Sequence, residues 1–140
     1  MTKYYDSYKA IFDRIKADLE TVASIKNVVL GEQFKVTNLP MAIINPEETE
    51  ISQATFGSML TNNINFSVVL VIRETEPTNW FTNIVSVMGD AIDKILGDRT
   101  LNSTVKDVIP TLFSPGEIRT GGKLFYGGLI RFTALAHFSP

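Results

Sequence analysis

Hydrophobic positions change period several times along the chain, and each change marks an element. Tyr8, Ile11, Phe12, Ile15, Leu19 and Val22 recur at steps of three and four, with Lys9, Asp13, Lys16 and Glu20 opposite. That spacing predicts an amphipathic helix that fades near residues 23–26. Asp6 or Ser7 is its expected N-cap, and Asp13 and Lys16 stand three apart, close enough to pair. The stretch 77–105 carries the second helical pattern, and the rest of the chain is organised around it. Phe81, Ile84, Val85, Met88, Ile92, Ile95 and Leu96 keep to one stripe. Thr78 or Asn79 can cap its start, and Gly97 suits a left-handed cap at its end. A turn, Asp98-Arg99-Thr100-Leu101, leads onward.

The remaining apolar positions have strand period. Val28, Val29 and Leu30 make a short strand at 27–31, followed by a polar linker at 32–38. Leu39-Pro40-Met41-Ala42-Ile43-Ile44 predicts a second strand, with Pro40 at its first residue and Pro46 as its stop. Residues 64–73 form the clearest strand. Ile64, Phe66, Val68, Leu70 and Ile72 point one way; Asn65, Ser67, Val69, Val71 and Arg73 point the other. Its second half is apolar on both faces, which suits the middle of a sheet. Residues 104–113 carry Val105, Val108, Ile109, Leu112 and Phe113 around Pro110, an edge-strand pattern. Ser114-Pro115-Gly116 and Thr120-Gly121-Gly122 read as turns. In the last strand Ile130, Phe132, Ala134, Ala136 and Phe138 form the apolar face. Gly127-Gly128 marks a bulge or a close backbone approach. The pattern predicts an α+β fold: a mainly antiparallel sheet, two helices packed on one face, and a long β-hairpin-like arm. Neither a repeat nor a low-complexity tract divides residues 1–140, which read as one domain.

The arm is the segment 46–63. Glu47, Glu48 and Glu50 stand at its root, and Ile51, Phe56, Met59 and Leu60 are scattered along an otherwise polar run. It has no helical stripe and few apolar groups to hold it down. Those few are costly to leave in water unless a partner covers them. The segment is expected to be mobile in the free monomer and to dock on a partner; the alternative is a plain flexible surface loop.

Composition narrows the function classes. The 140 residues are 44% hydrophobic and 20% charged, a globular balance. A mean hydropathy of +0.10 points towards surface buried against another copy or a partner. The net charge of −2 supplies no basic field for binding nucleic acid. Cysteine is absent, which excludes disulfides and thiolate metal sites and fits a reducing cytosol. The N-terminus lacks an apolar signal core, and no apolar run is long enough to span a membrane.

Chemistry is sparse. His137 is the sole histidine, and no acid or nucleophile neighbours it. The Glu47-Glu48-x-Glu50 cluster lacks the spacing and glycine of a calcium loop. The run Gly116–Lys123 fails as a phosphate loop, because Glu117 and Leu124 stand where Gly and Ser or Thr are needed and the run precedes a strand. Asp90 and Asp93 suit a wet helix face, and Tyr4, Tyr5 and Tyr8 suit core or interface contacts. Catalysis, a metal and a cofactor are therefore not expected.

The order of elements does carry a resemblance. An amphipathic helix and a short strand precede Leu39-Pro40-Met41-Ala42-Ile43; an acidic variable segment, a long apolar strand and a helix precede Asp98-Arg99-Thr100-Leu101-Asn102-x-x-Val105. In this order nearly the whole chain resembles the tail terminator (tail-completion, tail-to-head joining) proteins of long-tailed bacteriophages. The resemblance implies an α+β structural protein of the virion, monomeric before assembly. Such a protein closes as a hexameric ring on the finished tube of the major tail protein and presents the joining face to the head completion (connector) protein. The genome would pass through the ring lumen without specific binding. The arm would contact a neighbouring subunit or the tail tube. Another virion ring protein, such as a tail tube or head-completion (stopper) subunit, is the alternative, followed by a small ligand-binding or enzymatic α+β domain.

Overall fold

A computed structural model describes residues 3–31, 39–53, 60–72, 79–120 and 123–138. The order is helix α1 (Lys3–Glu20), β1 (Asn27–Leu30), β2 (Met41–Gln53), β3 (Leu60–Ile72), helix α2 (Trp80–Leu96), β4 (Asp107–Thr120) and β5 (Lys123–Phe138). The strands form one sheet in the order β1-β2-β3-β5-β4. Only β1 and β2 run parallel; the other pairs are antiparallel. The expected α+β fold is present, with the apolar strand β3 at its centre.

One core joins both helices to one face of the sheet. The alternation in β3 buries Ile64, Phe66, Val68 and Leu70 completely on that face, opposite Ala134, Phe132, Ile130 and Gly128 of β5. Ile11, Phe12, Ile15 and Leu19 of α1 and Ile84, Val87, Met88, Ala91 and Ile95 of α2 belong to the same cluster. Phe66 is its hub: it stacks on Phe132 at 5.1 Å and meets Phe12 edge-on at 5.7 Å. On the reverse face Met41, Ile43 and Val71 form a smaller buried cluster. That arrangement explains why the second half of β3 is apolar on both sides.

Gly127-Gly128 is a close approach. The register runs through both glycines without a shift. A Cβ at Gly128 would lie 2.4 Å from Met88 Sδ and 3.0 Å from the Ser114 carbonyl oxygen. The absent side chain is what lets α2 settle on β5.

Several local expectations are corrected. Helix α1 starts at Lys3, so Asp6 lies in its first turn and neither Asp6 nor Ser7 is its cap. Its ion pairs Lys9–Asp13 and Lys16–Glu20 stand four apart on the wet face, a spacing that stacks side chains, so neither Asp13 nor Lys16 pairs with the other; Arg14–Asp18 has the same spacing with Asp18 buried. In α2, Phe81 is exposed and Val87 and Ala91 are buried, so the buried stripe is rotated relative to the expected one. Asn79 is the N-cap without a side-chain cap bond; Thr78 lies outside the described residues. Gly97 is right-handed at φ −72°; its N–H donates to the Asp93 carbonyl, and the Asp98 N–H donates to that of Ile95. The left-handed residues come later, at Leu101, Asn102 and Ser103.

Proline does not stop β2. The strand passes through Pro46, which faces Phe66. Strand β1 ends at Leu30, opposite Ile44, so among the described residues β2 has no strand partner on its outer side at Pro46, and no ladder bond between described strands is lost there. Ser114-Pro115-Gly116 likewise lies inside β4 instead of forming a turn. The sheet order makes β4 an edge, where Pro115 is tolerated. Gly121 and Gly122, the linker 32–38 and Arg73 lie outside the described residues.

Candidate interaction surface

The segment singled out for docking is the β2–β3 hairpin. Its described residues, 46–53 and 60–63, do not leave the body. Thr49–Gln53 pair with Leu60–Ile64, and Leu60–Ile64 pair in turn with Ala134–Phe138 of β5. The arm is thus an extension of the sheet. Its inner strand is anchored by Asn62, which is fully buried; the Tyr4 hydroxyl donates to its Oδ1 at 2.8 Å, and its Nδ2 donates to the Leu60 carbonyl at 3.3 Å. Tyr4 also meets Phe138 edge-on at 5.1 Å. The start of α1 therefore clamps the far end of the hairpin.

The acidic root is a β-bulge. Pro46 pairs with Phe66 and Thr49 with Ile64, so Glu47 and Glu48 together face Asn65. Such a bulge shifts the alternation and re-aims side chains. Glu47 accepts from Arg131 Nε at 3.1 Å across the reverse face. Beside them the Thr133 hydroxyl donates to Asn65 Oδ1 at 2.7 Å. Glu47, Glu48, Asn65 and Arg131 line a shallow open depression. Glu48, Glu50 and Ile51 are exposed along the outer margin, and Leu60 is half-buried inside. Phe56 and Met59 lie outside the described residues. The structure thus brings Glu47, Glu48, Glu50 and Ile51 onto one margin and separates Leu60 from them.

The other candidates stay dispersed. His137 is exposed and its Nδ1 lies 3.2 Å from the Thr61 hydroxyl, with Thr100, Ser103, Thr104 and Lys106 around an adjoining hollow. Asp90 accepts from the Ser24 hydroxyl at 2.8 Å. Tyr4 and Tyr8 pack against the core, whereas Tyr5 is exposed. Among the described residues no group of three or more acids and histidines is placed to hold a metal ion. No described helix is long and apolar enough to cross a membrane.

One polar constellation has no counterpart in the sequence reading. Asp18 is buried on α1 beside Arg14 at 3.3 Å, and Arg14 Nε also donates to Asp98 Oδ2 at 2.8 Å. Asp98 Oδ1 accepts the Asn102 N–H at 3.0 Å, inside the left-handed turn. Burial, followed by the adjoining Asp98 carboxyl, pushes Asp18 up to about 6. The neighbouring Asp18 carboxyl leads the causes that hold Asp98 down to about 2, with Arg14 and the Asn102 N–H adding to it. Asp18 Oδ2 is buried without a hydrogen-bond partner among the described residues, so of the two carboxyls Asp18 is the one that favours its proton. The available signal was positional: Asp18 stands seven residues after Ile11 and three after Ile15, on the buried stripe.

No known family model matches the chain, and no curated protein matches it either.

Proposed function

We propose that this chain is a structural subunit of a phage virion, a tail terminator. Copies close as a sixfold ring on the head-proximal end of the completed tail tube and present the joining surface to the head connector. The observation that carries the reading is the ordered pair of passages at residues 39–44 and 98–105, set among helix, strand and helix as in that family. The fold gives both passages a structural task, which supports the reading. Leu39-Pro40 leads directly into β2. Leu101 and Val105 are buried in the core, so residues 98–105 form a packed joint between α2 and β4.

In this role the protein needs no catalytic group, metal or cofactor; its work is surface recognition. Its partners are other copies of itself, the major tail tube protein and the head completion protein. It assembles in the host cytoplasm and resides in the virion. The margin carrying Glu47, Glu48, Glu50 and Ile51, with Phe56, Met59 and Leu60 of the same sequence segment, docks on a neighbouring subunit or on the tube. The test is cryo-electron microscopy of tails assembled with the purified protein. A sixfold ring at the head-proximal end is expected. Density at another symmetry or at another position along the tail would refute the assignment.

A further inference from the structure

We propose that copies of this chain join head to tail through the two opposite margins of the sheet, the β4 margin of one copy against the β1–β2 margin of the next. The inference deepens the ring reading, on which it rests, by naming the contact.

Exposed apolar side chains are concentrated at these margins. Among the described residues the exposed large hydrophobics are Tyr5 and Phe81 on the helices and Leu30, Ile51, Ile109, Leu112 and Phe113 on strands. None of the latter lies on the inner strands β3 or β5. Leu30 (42% exposed) and Ile51 (54%) stand on the β1–β2 margin; Ile109 (46%), Leu112 (41%) and Phe113 (42%) stand on β4. The pairing fixes their faces. Leu30 is level with Ile44, Ile51 with Asn62 and Phe113 with Ile130, all positions on the helix side. Carried across the sheet, the ladders put Phe113 level with Leu30, and Lys106, which donates to the Leu135 carbonyl, level with Glu50 and Ile51. An in-plane join of opposite margins therefore sets Phe113 against Leu30 and Lys106 against Glu50 and Ile51. Charge favours the same match: Lys106 is exposed at the start of β4, and Glu48 and Glu50 are exposed on the β2 margin.

Both margins also carry a device against indiscriminate strand pairing. Pro46 sits at the bulge in β2 and Pro110 at the bulge in β4. Each proline removes a backbone donor and each bulge interrupts the ladder. The join is thus made by side chains. Its extent is limited as well: β1 and the part of β2 beyond it, in register with residues 41–53, span about 40 Å. A strip one side chain wide and of that length falls below the roughly 800 Å² per partner of a stable complex. Free copies then meet only weakly and transiently, and lasting contact builds up where a template concentrates them. Since the two margins differ and lie on opposite sides, the contact is heterologous and leads to a ring or a filament, never to a closed two-fold dimer.

The absence of cysteine makes the test direct. The double variant Leu30→Cys/Phe113→Cys, whose two positions are level across the join, is oxidised at increasing concentration, beside each single variant, their mixture, and Tyr5→Cys/Phe113→Cys as the off-margin control. The expected result is a ladder of linked copies from the double variant, heterodimers from the mixture, and roughly tenfold more linkage than in the control, because contact raises the local thiol concentration. Linkage no greater than in the control overturns the inference. So does Phe113→Cys alone dimerising as readily as the mixture. Rings on tails whose margin cysteines never link leave the ring reading standing and refute the margin join. Linked ladders that never cap tails uphold the join and refute the tail role.

Discussion

Replacing Asp18 by Asn should stabilise this protein near neutral pH and flatten its response to pH. In the native fold Asp18 is 5% exposed, and its carboxyl adjoins that of Asp98, with Arg14 bridging. An amide in its place is neutral at every pH and introduces no second buried charge beside Asp98. The sign follows from linkage. The folded pKa of about 6 lies above the ordinary 3.8. Between those values the native state binds more protons than the unfolded chain, so stability falls as pH rises through that window and levels off above it. Asp98 acts in the opposite sense: held at about 2, it contributes stability above pH 4 or so that is lost as pH falls towards 2. The two windows meet near pH 4, where this pair is most favourable. A displacement of roughly two units sets an upper limit of about 3 kcal/mol. Arg14 and Lys94 offset part of it by favouring the ionised form. The expected gain for Asp18→Asn near pH 7 is therefore about 1–2 kcal/mol, shrinking towards zero near pH 4. Urea denaturation at a series of pH values measures both. A variant less stable than the parent at neutral pH, or one with the parent's slope between pH 4 and 6.5, would show that the carboxyl pair is not the stabilising arrangement described.

Four further outcomes test the core, the chemistry and the surface. Ile84→Ala should cost about 2–5 kcal/mol through lost burial and a cavity, and Ile92→Ala distinctly less, since Ile92 is only partly buried; equal melting temperatures would remove α2 from the core. Gly128→Ala should cost about 1–3 kcal/mol by pressing on Met88 and the Ser114 carbonyl. Combining it with Met88→Ala should cost less than the sum of the two single changes, which a double-mutant cycle in urea reads directly. Native mass spectrometry should give the mass of the bare chain, and a tightly held metal or nucleotide would overturn the structural role. Arg131→Met, which removes the exposed partner of Glu47, should change stability by no more than about 1 kcal/mol and lose its effect in high salt.

What the sequence revealed depended on period and burial. β3 and β5 were legible because one face of each is buried along its length, so alternation survives in the residue types. Both helices were legible for the same reason. The passage through Pro46 and Pro115 was not, because a local rule about proline holds for paired strands and says nothing of an unpaired edge. The hairpin was legible as a hairpin but not as part of the sheet. Asn62 looks like a solvent residue in sequence, and its burial depends on Tyr4, fifty-eight positions away. The Asp18–Asp98 pair required the same kind of distant partner. The edge position of Ile109, Leu112 and Phe113 was legible from Pro110; that all three stay uncovered on it was not.

That the hairpin belongs to the sheet also changes how its docking role is tested. Deleting residues 48–60 would remove the partner strand of Leu60–Ile64 and leave those residues paired only with β5, so loss of function could follow from loss of fold. The outer margin permits a gentler perturbation. Glu48, Glu50 and Ile51 are exposed, and substitutions at such positions ordinarily shift stability within about 0.5 kcal/mol. The variant Glu48→Lys/Glu50→Lys/Ile51→Ser keeps the backbone pairing with Asn62 and Asn63, inverts the local charge and removes the apolar contact. It is expected to melt within a few degrees of the parent. It should fail to complete tails, because reversed charge now faces Lys106 of the next copy and the apolar side chain of Ile51 is gone. A compensating Lys106→Glu on the same chain should restore part of the activity, which general damage to the hairpin would not allow. Undiminished tail completion by the triple variant would remove this margin from assembly altogether.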